Sequence, residues 1–235
     1  IEEYGVVGGY NNYYELQNWT KTEGGGYQVS AGLIYKPIDE LRIGVSYHSP
    51  TWYNMTDYYE ARLDHDITDI VSNSEYKSGW IGSPNGVYDY KMYTPDKWTF
   101  SLAGVIGQTA IISADYELTN YKNMKLKHRD SVLLDWNPNP IIKDDFKTAS
   151  TLRVGAEVRF TPQFSGRVGY VWMQSPLNKN FKRNMFEVET VGSIPHYILE
   201  GDTNYFTYGL GYRFTKNFYS DIAFVMSTQK ADLYY

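Results

Sequence analysis

The sequence predicts an all-β fold, an antiparallel up-and-down transmembrane β-barrel. Three observations carry this. Period-2 alternation runs through most of the chain, connections alternate strictly between short turns and long excursions, and one strand face is free of charge. The 235 residues suit one large domain or two small ones, and 24 Tyr help bring the aromatic share to 17%. There is no Cys, which excludes disulfides, thiolate metal sites and a cysteine nucleophile. A net charge of −5 removes the electrostatic footprint of a nucleic-acid binder. No apolar run is long enough for a helical span, but barrel strands are only half apolar and escape that test.

Taken in chain order, strands are expected at about 3–14, 26–36, 41–53, 88–106, 110–121, 147–160, 164–174, 204–214 and 218–230. Short turns at Pro37–Glu40, Gly107–Thr109, Thr161–Gln163 and Thr215–Asn217 contain residues that set turn dihedrals. Long loops are expected at about 15–25, 54–87, 121–146 and 175–203. Because they fall on every second connection, a meander would gather them at one end, the arrangement of short periplasmic turns and long extracellular loops in outer-membrane barrels. The expected localisation is therefore the bacterial outer membrane.

The two faces differ in kind. One reads Tyr27, Val29, Leu33, Tyr35, then Leu41, Ile43, Val45, Tyr47, and continues through Trp98, Phe100, Leu102 and Ile112, Tyr116, Leu118. It goes on as Leu152, Val154, Val158, Phe160, then Phe164, Val168, Tyr170, Trp172, and closes with Phe206, Tyr208, Leu210, Tyr212, Phe214, Phe218, Ile222, Phe224 and Met226. The other face carries Arg42, His48, Asp115, Glu117, Arg153, Glu157, Arg159, Arg167, Arg213 and Asp221 among small residues. Five arginines nearly balance four carboxylates, as paired charges across a lumen would. A soluble β-sandwich also has a charge-free face. Two features favour the barrel: aromatics shoulder the turns at Tyr35, Phe160, Phe164, Phe214 and Phe218, and the strands approach the roughly 9–11 residues that span a bilayer. About nine strands is an odd number, and an open sheet in lipid leaves its edges unpaired. The expectation is a single barrel domain over 1–235, incomplete at both ends.

The segments "YKPIDELRIGVSYHSPTWYNMTDYY" (35–59), "YKMYTPDKWTFSLAGVIGQTAIISADYELTNYKNMKL" (90–126), "TLRVGAEVRFTPQFSGRVGYVWMQSP" (151–176) and "YGLGYRFTKNFYSDIAFVMS" (208–227) resemble, in order, the FadL-type outer-membrane transport family, most closely its Bacteroides-like members. The resemblance implies a 14-stranded barrel with an N-terminal hatch. It implies passive uptake of hydrophobic molecules such as long-chain fatty acids or aromatic hydrocarbons, caught first among extracellular loops. No cofactor is implied. The expected partners are hydrophobic small molecules and outer-membrane lipid, and not nucleic acid. The hatch and lateral-gate residues of the family match nothing here, so none is carried over.

Trp52, Tyr53, Tyr58, Tyr59 and Trp80, with Tyr76, Tyr88, Tyr90 and Tyr93, form an aromatic cluster in the first long loop. It reads either as a groove that admits a greasy ligand or as loop self-packing with interface anchors. Glu60, Asp64, Asp66 and Asp69 could suggest calcium, but their spacing lacks the EF-hand pattern, so a solvated acidic loop is expected and no metal site. His48, His65, His128 and His196 form no zinc motif, and no nucleophile motif is present, so the chain is not expected to be an enzyme. His48 reads as part of a lumen network or as a contact for a ligand carboxylate. The alternative to transport is a barrel acting as a structural or adhesive subunit of a surface complex, in contact with other surface proteins.

Overall fold

Two hairpin turns with the same five-residue plan define one end of the structure. In Phe160-Thr161-Pro162-Gln163-Phe164, the Thr161 hydroxyl accepts the N–H groups of Gln163 and Phe164 at 3.2 and 3.0 Å. In Phe214-Thr215-Lys216-Asn217-Phe218, Thr215 does the same for Asn217 and Phe218 at 3.3 and 3.1 Å. Each turn closes with the first Phe N–H on the carbonyl of the last, at 2.9 and 3.0 Å. The paired rings lie 5.5 and 5.3 Å apart. At the turn between Ile106 and Ala110, Gly107 takes φ +58°, a left-handed conformation that side chains resist. The turns are also tied sideways, since the carbonyls of Glu40, Thr109 and Gln163 accept the N–H groups of Val105, Arg159 and Arg213, each at 2.7 Å.

The computed structural model describes residues 2–7, 10–69, 74–107, 109–128, 137–179, 181 and 197–234. Its strands are β1 Glu2–Val7, β2 Tyr10–Tyr27, β3 Ser30–Ile38, β4 Leu41–His48, β5 Trp52–Asp69, β6 Ser74–Gly82, β7 Gly86–Tyr93 and β8 Lys97–Ile106. They continue as β9 Ala110–Asn120, β10 Lys125–His128, β11 Thr148–Arg159, β12 Phe164–Met173, β13 Tyr197–Arg213 and β14 Tyr219–Tyr234. A short α-helix, α1 Asn139–Asp145, lies against β10, where the Asn139 amide bonds both the N–H and the C=O of Leu126 at 2.9 and 2.8 Å.

Eight strands form one antiparallel sheet in the order β14-β13-β12-β11-β9-β8-β4-β3. The expected short-turn hairpins supply all of them. The segments expected as loops depart from expectation. β2 runs through 15–25, β5 and β6 fill most of 54–87, β10 and α1 lie within 121–146, and β13 begins inside 175–203. Several of these strands make a second antiparallel sheet, β1-β2-β5-β7-β10, with β6 also on β5. The nine-strand expectation undercounts for this reason. Alternation in these segments carries polar residues on both faces, so a hydrophobicity test passes over them.

The second sheet repeats the neighbours of the first. β2 lies beside β5 as β3 lies beside β4, and β5 lies beside β7 as β4 lies beside β8. β7 lies beside β10 as β8 lies beside β9. Each long run therefore crosses from one sheet to the other at a break in its ladder. The freed backbone groups are satisfied there by small polar side chains, as broken ladders require. Val29 N–H donates to Ser49 Oγ at 3.0 Å, and Ser49 N–H returns to the Val29 carbonyl at 2.9 Å. Thr51 N–H donates to Thr94 Oγ1 at 2.8 Å, and close by the Asn120 side-chain amide donates to the Asp96 carboxylate at 2.6 Å. Thr148 Oγ1 donates to the Asn120 side-chain carbonyl at 2.9 Å. Ser49, Thr119 and Thr151 at this level are among the few buried residues.

Ala149 is the only buried hydrophobic side chain among the described residues. The charge-free face is laid open, with Leu33, Val168, Phe206 and Phe224 each at least half exposed. A soluble sandwich would bury these rows between two layers. No second layer covers them among the described residues, so the rows lie on an open face of a single-layer sheet.

Candidate functional site

Pairing across the eight-stranded sheet puts the ten polar residues expected on one face on a single face. Two ion-pair groups form there. Glu117 bridges Lys97 and Arg153 at 3.2 and 3.1 Å. Arg167 bridges Glu157 and Asp221 at 2.9 and 2.7 Å. A cavity of about 180 Å³ opens beside Arg167 at the turn end, with Arg159 and Arg213 on its wall. Arg42 and Asp115 share the face outside these two groups. His48 Nδ1 lies 2.8 Å from the Ser30 hydroxyl. Lys97 is the member that sequence reasoning missed. It stands opposite His48 at the ladder break, where alternation had been read straight through 88–106.

The break between the sheets changes the register by one residue. Ser30 pairs with His48, and Tyr27 pairs with Trp52. Gln28 and Val29 thus lie opposite three residues, Ser49, Pro50 and Thr51, an arrangement of the β-bulge kind. Pro50 has no N–H to lose at that point. The next run keeps step, because Thr94, Pro95 and Asp96 lie opposite Ser49–Thr51. A one-residue shift carries every side chain beyond it to the other face. Odd-numbered β4 residues share the face of Tyr27, Val29 and Leu33, while on β5 the even-numbered ones do.

Composition therefore inverts at the break. In the second sheet, the face in line with the apolar rows carries Lys21, Glu23, Arg62, Asp64, Asp89, Lys91, Lys125 and Lys127. Near the break it is aromatic, with Tyr27 and Trp52 rings 5.2 Å apart. Arg62 holds Asp64 with a bond of 2.7 Å, and this keeps the Asp64 carboxyl below its ordinary pKa. The opposite face, in line with the arginines of the first sheet, carries Tyr53, Met55, Asp57, Tyr59, Tyr88, Tyr90, Met92 and Leu126. Glycines make room for this lining. A Cβ on Gly26 would sit 2.5 Å from the Tyr53 ring, and one on Gly86 would fall inside the Tyr59 ring. The rings lie flat over neighbouring strands instead. Tyr88 stacks on Tyr90 at 5.6 Å, and His128 meets the Tyr88 ring edge-on at 5.3 Å.

The described members of the nine aromatics expected as one cluster are thus divided, with Tyr93 opposite Trp52. Tyr53 and Tyr59 lie on the aromatic lining, with Tyr88 and Tyr90, while Trp52, Tyr58 and Trp80 lie on the charged face. Lys21 sits over the Tyr58 ring and Arg62 over the Trp80 ring, at 5.9 and 5.1 Å. The expected acidic loop is a strand, and Asp64 there is ion-paired. The side chains of Asp66, Asp69, Tyr76 and His196 lie outside the described residues. Met55 and Met92 were not anticipated. Their signal was their alternation with Tyr53 and Tyr90 on the same strands.

No curated protein matches this chain. A solved structure, a FadL homologue of Pseudomonas aeruginosa, is similar over 94% of this chain and 67% of its own, at 13% identity and a TM-score of 0.42. The profile of the family described as outer membrane protein transport protein (OMPP1/FadL/TodX), a family of transport proteins rather than enzymes, matches residues 5–233. The chain belongs to this family and is an outer-membrane β-barrel transport protein.

Proposed function

We propose that this protein takes up hydrophobic compounds across the outer membrane, and that the aromatic lining of the second sheet is where they are first held. Hydrophobic molecules such as long-chain fatty acids or aromatic hydrocarbons are the cargo that the family resemblance suggests. The inversion at Ser49–Thr51 supports the reading. On one side of the break the apolar face suits lipid and the arginine-bearing face a wet lumen. On the other, the outer face suits water and the inner face is greasy, as a hydrophobic-ligand site is. In this reading β2, β5, β7 and β10 extend the wall beyond the outer leaflet, and the Arg167 and Glu117 groups line the lumen. The outer edges of β3 and β14 pair with further strands, since an unpaired strand edge in lipid costs several kcal/mol.

Uptake of a fluorescent hydrophobic probe into outer-membrane vesicles tests this. Vesicles carrying the full-length protein should accumulate the probe saturably, and Tyr53→Ser with Tyr59→Ser should cut the initial rate by about tenfold, the weight of roughly 1.4 kcal/mol of binding. Uptake equal to that of vesicles lacking the protein would end the proposal.

A further inference from the structure

Among the described residues, the aromatic lining carries one carboxylate and no lysine or arginine. Asp57 stands in its middle, half-buried, opposite Tyr88 and beside Met55 and Tyr90. The Thr22 hydroxyl donates to Asp57 Oδ1 at 2.8 Å, and the Tyr90 hydroxyl reaches the same oxygen at 3.4 Å. Both protein donors therefore use Oδ1, and Oδ2 accepts no hydrogen bond among the described residues. The nearby cations are on the other face, where Lys21 pairs with Glu23. The ionisable neighbours on the lining itself are tyrosines and His128, whose Nε2 lies 3.4 Å from the Tyr88 hydroxyl.

A lone carboxylate in an apolar, aromatic setting attracts hydrogen-bond donors and repels anions, more strongly than it would in open water. We propose that the lining selects hydrophobes with a donor head, such as an alcohol, a phenol or a protonated amine, over hydrophobes with a carboxylate head, and that Asp57 Oδ2 is the acceptor. The alkyl or aromatic body would lie across Tyr53, Met55, Tyr59 and Tyr90. This rests on the lining being the first holding site, and it narrows what that site prefers.

The test is displacement of a fluorescent hydrophobic probe from the full-length protein by 1-dodecanol, dodecylamine and dodecanoate, which share one chain length. Each is measured on the wild type and on Asp57→Asn. Asparagine keeps an oxygen for Thr22 and Tyr90, so the lining should keep its shape. Comparing the ratios of the two proteins cancels partition of each competitor into detergent. In the wild type, the alcohol and the amine should displace the probe at concentrations about tenfold below dodecanoate, and Asp57→Asn should shrink that preference to about twofold. Equal or tighter binding of dodecanoate to the wild type, or an unchanged preference in Asp57→Asn, would overturn the proposal. Failure of every competitor to displace the probe, with Tyr53→Ser also without effect, would instead remove the lining as a binding site and this inference with it.

Discussion

Tyr27 pairs with Trp52 one residue out of step with the pairing of Ser30 and His48 only three residues away. That single offset sets which rings share the face of the apolar rows and which share the arginine-bearing face. It turns the face that is apolar on one stretch into a charged one on the next without any change in the period of two.

The apolar rows should tolerate no charge. Val168 lies between Ala156 and Tyr208 in the middle of three strands and is 62% exposed on that face. Val168→Arg should cost about 2–4 kcal/mol, the penalty of a basic residue near the bilayer midplane. Thr207→Arg, on the polar face next to Val168's partner Tyr208, should cost far less. Folding yield into lipid vesicles, read by the gel shift between folded and heat-denatured forms, would separate the two.

The Arg167 group should behave as a unit. Arg167→Gln leaves Glu157 and Asp221 near each other without their shared cation. Its side chain is half exposed, so each pair is worth about 0.2–1 kcal/mol, and the heat-denaturation midpoint should fall modestly. Adding Glu157→Gln and Asp221→Asn to Arg167→Gln should restore most of the loss, because no unpaired charge then remains. A triple variant no more stable than the single one would show that the pairs do not act together.

The twin turns offer a matched test. Thr161→Ala and Thr215→Ala each remove an acceptor of two backbone N–H groups and should each cost about 0.5–1.5 kcal/mol. Their hairpins are separate, so the double variant should lose close to the sum in the same melting assay.

The eight-stranded sheet was legible because the rows flanking its short turns are free of charge on one face. Leu152, Val154 and Val158 alternate with Arg153, Gly155 and Glu157 on one strand, and the turns at Thr161 and Thr215 mark its ends. The second sheet was not legible. β2 reads Glu15, Leu16, Gln17, Asn18, Trp19, Thr20, with polar residues at both parities, and its Gly24–Gly26 run resembles a loop. The bulge was hidden as well. Ser49-Pro50-Thr51 has the composition of a turn, and nothing local says that two residues on another strand must lie opposite three. The aromatic lining therefore could not be separated from the charged face by sequence alone, since Trp52 and Tyr53, or Tyr58 and Tyr59, are adjacent in the chain and opposed in space.

Tyr90 should titrate late. Burial, and then the Asp57 carboxylate beside it, raise its phenol above the ordinary value of about 10. A raised value means that the protonated phenol favours the folded state, so its contribution is complete below about pH 10 and fades as pH climbs through the folded value. Tyrosinate absorbance of the wild type minus Tyr90→Phe should show a midpoint above 10. Asp57→Asn should lower that midpoint while burial holds it up in part. A midpoint at or below 10 in the wild type would contradict the placement of the two groups.

The register offset itself can be read directly, because the chain has no Cys and accepts a single spin label at any position. Labels placed one at a time from Ile43 to Tyr58 in the full-length protein, reconstituted in liposomes, would report collisions with oxygen dissolved in lipid and with a nickel complex dissolved in water. The account predicts oxygen maxima at Ile43, Val45 and Tyr47, then water-relaxant maxima at Asn54, Thr56 and Tyr58, with the phase reversing across Ser49–Thr51. Maxima that stay on odd-numbered residues through Asp57 would contradict it.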